Sequence, residues 1–150
     1  MSGILDASRS RFAAITLICM LAAAMFAGCS LPNLEPEQCV AARDAVKQFY
    51  SFYFAHDMNS IEGARGRSNY LTNELSSQLA GPKKEGKDYF TASENFPKAF
   101  RVGACTSESN DAATLDVVML WNDDSGNAQK EIKVDVVYRF GKWLINKVTG

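Results

Sequence analysis

Histidine is almost absent from this chain of 150 residues: His56 stands alone. A single imidazole cannot build the His-rich ligand sets of zinc sites. Its nearest acid, Asp57, is its sequence neighbour, so at a helix end the two side chains diverge instead of forming an acid–base pair. No serine stands in a nucleophile elbow, and no glycine-rich loop is placed to cradle phosphate. Positive charge is not in excess either, with 16 Lys and Arg against 17 Asp and Glu, which excludes a nucleic-acid surface or a polybasic membrane patch. The uncharged apolar stretch from Phe12 to Gly28 falls short of the roughly 20 residues that a spanning helix needs. These absences point to a protein that is not an enzyme and holds no cofactor or metal.

What is present is a globular composition, 47% hydrophobic and 22% charged, enough for one modest core. The first residues form an address and not a part of that core. Arg9 and Arg11 precede the apolar stretch, as in a secretory signal peptide. Phe26-Ala27-Gly28-Cys29 then resembles the lipobox of bacterial lipoproteins: an apolar residue, two small ones, and the cysteine that is acylated and that cleavage between Gly28 and Cys29 makes the mature N-terminus. Phe26 departs from that motif, which usually carries Leu. The alternatives are an ordinary secreted protein and an uncleaved membrane anchor.

The resemblance divides the chain into a signal peptide over residues 1–28, a lipidated cysteine with a short tether over 29–36, and a folded domain over 37–150. It implies a bilayer partner held through fatty acyl chains such as palmitate on Cys29; several chains together bind stably where one does not. Ser30 stands where an Asp would signal inner-membrane retention, so the expected location is the periplasmic face of the outer membrane. The tether, Ser30 to Pro36, carries two prolines and reaches at most about 25 Å. Removal of Arg9, Arg11 and Asp6 with the leader leaves 14 basic and 16 acidic residues.

Two cysteines remain besides Cys29. In an oxidising compartment an even pair is expected to close a disulfide, so Cys39 and Cys105 are predicted to join, two independent buried thiols being the alternative. Cys105 alternates with Ala104 along a predicted strand. The pairing therefore requires a sheet edge or a bulge.

A helix is expected from Pro36 to about His56, with Cys39, Ala42, Val46, Phe49 and Tyr53 on one face and Tyr50, Phe52 and Phe54 widening it. Ile61 to Asn69, rich in Gly and Arg, reads as a loop, and Leu71, Leu75 and Leu79 mark a short second helix ended by Gly81-Pro82. Residues 83–97 read as a loop that opens on a charge run and folds its aromatic half over the core. The remaining residues alternate as four strands. Gly141-Lys142 is expected to form a type II′ turn that sets Phe140 opposite Trp143 and Tyr138 opposite Ile145. The layer rule gives an α+β domain, a long N-terminal helix and a short second one packed on a curved four-stranded antiparallel meander.

The helix with Phe49-Tyr50 and Tyr53, the later Asp88-Tyr89-Phe90 and Phe96-Pro97, and the ending Gly141-Lys142-Trp143 with Ile145 resemble a family of uncharacterised bacterial lipoproteins. Its domain is cystatin-like, of the nuclear-transport-factor-two-like type, and the likeness covers roughly residues 37–149. The resemblance implies a cone with a pocket at its mouth, here lined by Tyr50, Tyr53, Tyr89, Trp121, Tyr138 and Trp143. It carries no catalytic signature. On the outward sheet face Val118, Leu120, Val137 and Leu144, with Val148, form a candidate partner surface. The expected role is a non-enzymatic accessory module for another envelope protein; an immunity or inhibitor lipoprotein against a periplasmic toxin or cell-wall hydrolase, and a small-ligand-binding cone, are the alternatives.

Overall fold

The computed structural model describes residues 35–80, 86–123 and 126–150. Gly28, Cys29, most of the tether and the charge run at residues 83–85 lie outside the described residues. Helix α1 spans Glu37–Ala55, α2 Ile61–Ser68 and α3 Asn73–Gln78; strands β1 (Ala99–Ser109), β2 (Ala112–Asp123), β3 (Gly126–Arg139) and β4 (Lys142–Thr149) follow. The strands pair as an antiparallel meander in the order β1-β2-β3-β4, so the domain is α+β. Among the described residues, no helix is long and apolar enough to cross a membrane.

Helix α1 packs its expected face on the sheet: Ala42, Val46, Phe49, Tyr50 and Tyr53 are buried with Leu115, Val117 and Met119 of β2, Ile132, Val134 and Val136 of β3, and Ile145 of β4. Phe52 and Phe54 are only half-buried. One face of each strand meets the helix because alternate side chains point the same way.

The segment Ile61–Ser68 is a helix and not a loop. Its two glycines argue against helix by propensity, but its ends are well satisfied. Ser60 Oγ accepts from the Gly63 amide at 2.9 Å, Glu62 lies in the first turn, and Arg65 and Arg67 lie in the last, all matching the helix dipole. The glycines serve close approach. A Cβ on Gly63 would stand 2.1 Å from the Asp57 carbonyl oxygen, and one on Gly66 would stand 2.3 Å from Phe52 Cζ.

Leu71 and Leu79 fall outside α3, which covers only Asn73–Gln78. Leu71 instead forms a parallel bridge with Ile145. The Thr72 amide donates to the Ile145 carbonyl at 2.9 Å and the Ile145 amide to the Tyr70 carbonyl at 2.8 Å, which occupies part of the β4 edge that would otherwise be open.

In β1, Val102 pairs with Val117 and Cys105 with Leu115, so Gly103 and Ala104 together oppose Asp116. This bulge returns Cys105 to the helix-facing side. There it forms a disulfide with Cys39, Cα to Cα 5.8 Å, in the way the alternation required. Arg43 fastens the same place by donating to the Gly103 carbonyl and to Glu35.

The last hairpin departs from the expected register. Tyr138 pairs with Trp143 and Arg139 with Lys142, so Phe140-Gly141 forms the turn, with φ of 54° and 80°. Two positive φ values are the signature of type I′, whose twist matches that of the strands. Phenylalanine is an unusual occupant of its first position, where Asn or Gly is favoured. A second bulge, at Asn146, lies between the pairs Asp135–Lys147 and Val136–Ile145. It turns Val148 onto the core face, so Val148 is not part of the outward surface.

Candidate functional site

The loop Asp88–Thr91 is built around one carboxylate. Asp88 Oδ1 accepts from the amides of Phe90 and Thr91, both at 3.0 Å, and from Thr91 Oγ1 at 3.2 Å. Its Oδ2 accepts from the Tyr53 hydroxyl at 2.6 Å. These bonds carry Phe90 under the loop, where Phe90 and Thr91 are buried. Tyr50 donates to the Phe90 carbonyl at 2.8 Å, and the Val148 amide donates to the Tyr89 hydroxyl at 3.2 Å.

Tyr50, Tyr53 and Tyr89 thus converge on one place, but each hydroxyl is engaged inside the fold. Burial, and then the negative charge of Asp88, hold the Tyr53 phenol far above its ordinary range. Burial does the same for Tyr50, aided by Tyr53, Asp88 and Tyr89. Both phenols stay protonated near neutral pH, and their hydrogen bonds brace the loop. Arg67 sits beside it, with Cζ 5.6 Å from the centre of the Phe90 ring. Its Nε is buried and has no hydrogen-bond partner among the described residues.

The other three aromatic residues do not join this group. Trp121 pairs with Ala128 near one end of the sheet and donates from Nε1 to the Asn95 carbonyl at 2.9 Å. Tyr138 and Trp143, with ring centres 5.6 Å apart, lie at the other end. Ten residues of β3 separate Ala128 from Tyr138, about 33 Å of strand. The six residues expected to line one pocket therefore cannot do so. A period of two places side chains on a face but carries no information about position along the sheet.

Val118, Leu120, Val137 and Leu144 do share the face turned away from α1. The register pairs Val118 with Glu131, Leu120 with Gln129 and Val137 with both Ala112 and Leu144. Leu144 is buried, and the other three are half-buried. A polar band divides them into two spots: Lys133 Nζ meets Asp116 at 2.7 Å and Thr114 donates to Asp135 at 2.8 Å. The Asp116 bond and charge raise the Lys133 pKa. The face is therefore not one continuous apolar patch.

His56 stacks on Phe52 with ring centres 4.2 Å apart, and its Nδ1 lies 2.9 Å from the Phe52 carbonyl oxygen. Asp57 instead accepts from the Asn59 amide at 2.9 Å, so the neighbours form no His–Asp pair. Among the described residues, no group of three or more His, Cys, Asp and Glu could hold a metal ion. Two features escaped sequence reading, the Arg67 position over Phe90 and the placement of Phe140 at a hairpin tip. Only the Phe-Gly dipeptide offered a local cue to the second.

No protein-family model matches the chain, and no curated protein matches it. The crystal structure of a protein of unknown function from Bacteroides thetaiotaomicron VPI-5482 aligns with a TM-score of 0.45 at 16% identity, covering 76% of this chain and 89% of that one.

Proposed function

We propose that the protein is a lipoprotein anchored through acylated Cys29 at the periplasmic face of the outer membrane, and a non-enzymatic binding module for another envelope protein. The disulfide between Cys39 and Cys105 carries this reading, because such bonds persist outside the reducing cytosol. It supports from the domain what Phe26-Ala27-Gly28-Cys29 suggests from the leader. The internal engagement of the Tyr50, Tyr53 and Tyr89 hydroxyls favours binding over catalysis, since this polar cluster is consumed by the fold. Helix α1 across one face of a four-stranded meander supports placing the domain in the cystatin-like type.

Intact-mass measurement of the protein from the membrane fraction tests the anchor. A chain beginning at Cys29 with the added mass of acyl chains is expected, lost in Cys29→Ser. Crosslinking in intact cells tests the partner. Leu120→Glu on the outward face is expected to abolish the crosslinked species while the protein stays folded and membrane-bound; an unchanged crosslinking pattern counts against that face.

A further inference from the structure

We propose that the β3–β4 hairpin tip is a second membrane-contact site, which places Phe140 in the interfacial region of the phospholipid bilayer beside the lipid anchor. The proposal rests on the anchored reading above and adds to it an orientation of the domain.

The tip has the chemistry of an interfacial anchor. Phe140 is 89% exposed and Tyr138 46%, with Trp143 tilted against Tyr138 and half-buried. Arg139 and Lys142 flank the turn. Aromatic rings with basic neighbours concentrate where membrane meets water, because the ring tolerates the acyl boundary while the cations meet headgroups. Neither cation is locked deep in the protein: Arg139 reaches Glu74 at 3.4 Å and Lys142 donates to the Asn69 carbonyl at 2.9 Å, both at the surface.

The backbone marks the same residue, which shares a positive φ with Ala92 among the described non-glycine residues but carries the bulkier side chain. Phe140 holds a φ of 54°, in the left-handed region where a bulky side chain is strained and Asn or Gly is not. An exposed ring gives nothing back to the fold for that strain. Such outliers cluster at functional sites, ligand-contacting ones among them.

The tip also lies at the end of the sheet where the chain enters the domain. Gln38 donates to Ser107 Oγ at 3.1 Å, Ser107 pairs with Ala113, and Ala113 pairs with Val136. Phe140 stands four residues beyond Val136, about 13 Å further along the strand direction. The tether from Cys29 to Pro36 can span up to about 25 Å. A bilayer that holds acyl chains at Cys29 is thus within reach of Phe140. Phe96, another exposed ring at 52%, belongs to the far end, next to Asn95, whose carbonyl binds Trp121.

The test uses the full lipidated protein, purified and reconstituted in phosphatidylethanolamine–phosphatidylglycerol vesicles, as wild type, Phe140→Trp and Phe96→Trp. Phe140→Trp keeps an aromatic ring in the same backbone conformation. Its new indole is expected to shift its emission to the blue and to be quenched by brominated lipids, most strongly when bromine lies about 5–10 Å below the headgroups. The indole of Phe96→Trp, at a position packed on Tyr53 and Phe54, should emit alike with and without brominated lipids. With acylation of Cys29 verified by mass, an unquenched indole in Phe140→Trp, or stronger quenching in Phe96→Trp, overturns the tip while leaving the anchor intact. Unmodified Cys29 and protein that does not stay with the vesicles overturn both.

Discussion

The Tyr53 hydroxyl donates to Asp88 Oδ2 at 2.6 Å and joins the last turn of α1 to a loop 35 residues away. The other oxygen of the same carboxylate holds two amides and the Thr91 hydroxyl. Asp88→Ala would leave these donors without their acceptor in a half-buried loop. Unsatisfied buried groups cost 1–3 kcal/mol each, so about 3 kcal/mol of stability should be lost in all. Urea unfolding should show a lower midpoint at an unchanged slope. A midpoint within experimental error of wild type would mean that Phe90 is held by packing alone.

The same burial makes the domain sensitive to alkali. Tyr50 and Tyr53 have folded pKa values above the ordinary phenol value of 10.0. Below that pH both phenols are protonated in the folded and unfolded chains, and their contribution is complete. Above it the unfolded chain releases protons that the folded one retains, so stability falls as pH rises. Ultraviolet titration should therefore show that the Tyr50 and Tyr53 phenols ionise only with unfolding. A single class titrating reversibly in the folded domain would contradict this.

Reduction of the Cys39–Cys105 bond opens a loop with a sequence separation of 66. The chain-entropy argument assigns such a loop up to about 4 kcal/mol, and engineered cases often deliver less. The Cys39→Ala, Cys105→Ala double variant should unfold at distinctly lower urea than the oxidised protein. Comparing it with wild type under reducing agent separates the crosslink from the side chains, since the two should then nearly coincide.

Phe140→Asn should stabilise the domain. Asn is tolerated at the left-handed φ of 54°, and the strain of a bulky residue there is worth about 1 kcal/mol. An exposed ring should cost almost nothing to remove. Thermal unfolding of the two proteins measures the gain directly. A loss of stability instead would reveal that the ring packs on the hairpin.

Gly66→Ala should destabilise by about 2 kcal/mol, because the new methyl would lie 2.3 Å from Phe52 Cζ and force the ring or the helix to shift. The penalty should shrink sharply in a Phe52→Leu background. That coupling, read from a double-mutant cycle, distinguishes a packing clash from a general effect on helix α2.

The alternation of Leu115, Val117 and Met119 and of Ile132, Val134 and Val136 made the core face of the sheet legible, and the spacing of Cys39, Ala42, Val46, Phe49 and Tyr53 did the same for α1. Each of those residues is buried. The even cysteine count and an oxidising compartment point to the disulfide, and strand alternation requires a sheet edge or a bulge at Cys105. Helix α2 was not legible, because two glycines outweigh capping in any local reading, and the contacts that demand them come from Asp57 and Phe52. The single aromatic pocket failed because residues on one face can stand at opposite ends of a long strand.

By itself, the sequence determined the inward faces of α1 and of strands β2 and β3, the candidate cysteine pair and the α+β meander. These properties depend on periodicity and residue chemistry, which are local. Tertiary structure decided the type I′ turn at Phe140-Gly141, the bulge that turns Val148 inward, and the capture of the aromatic hydroxyls within the fold. Register and close approach depend on atoms brought together from distant parts of the chain, and the free energy that selects among local alternatives arises only once those parts meet.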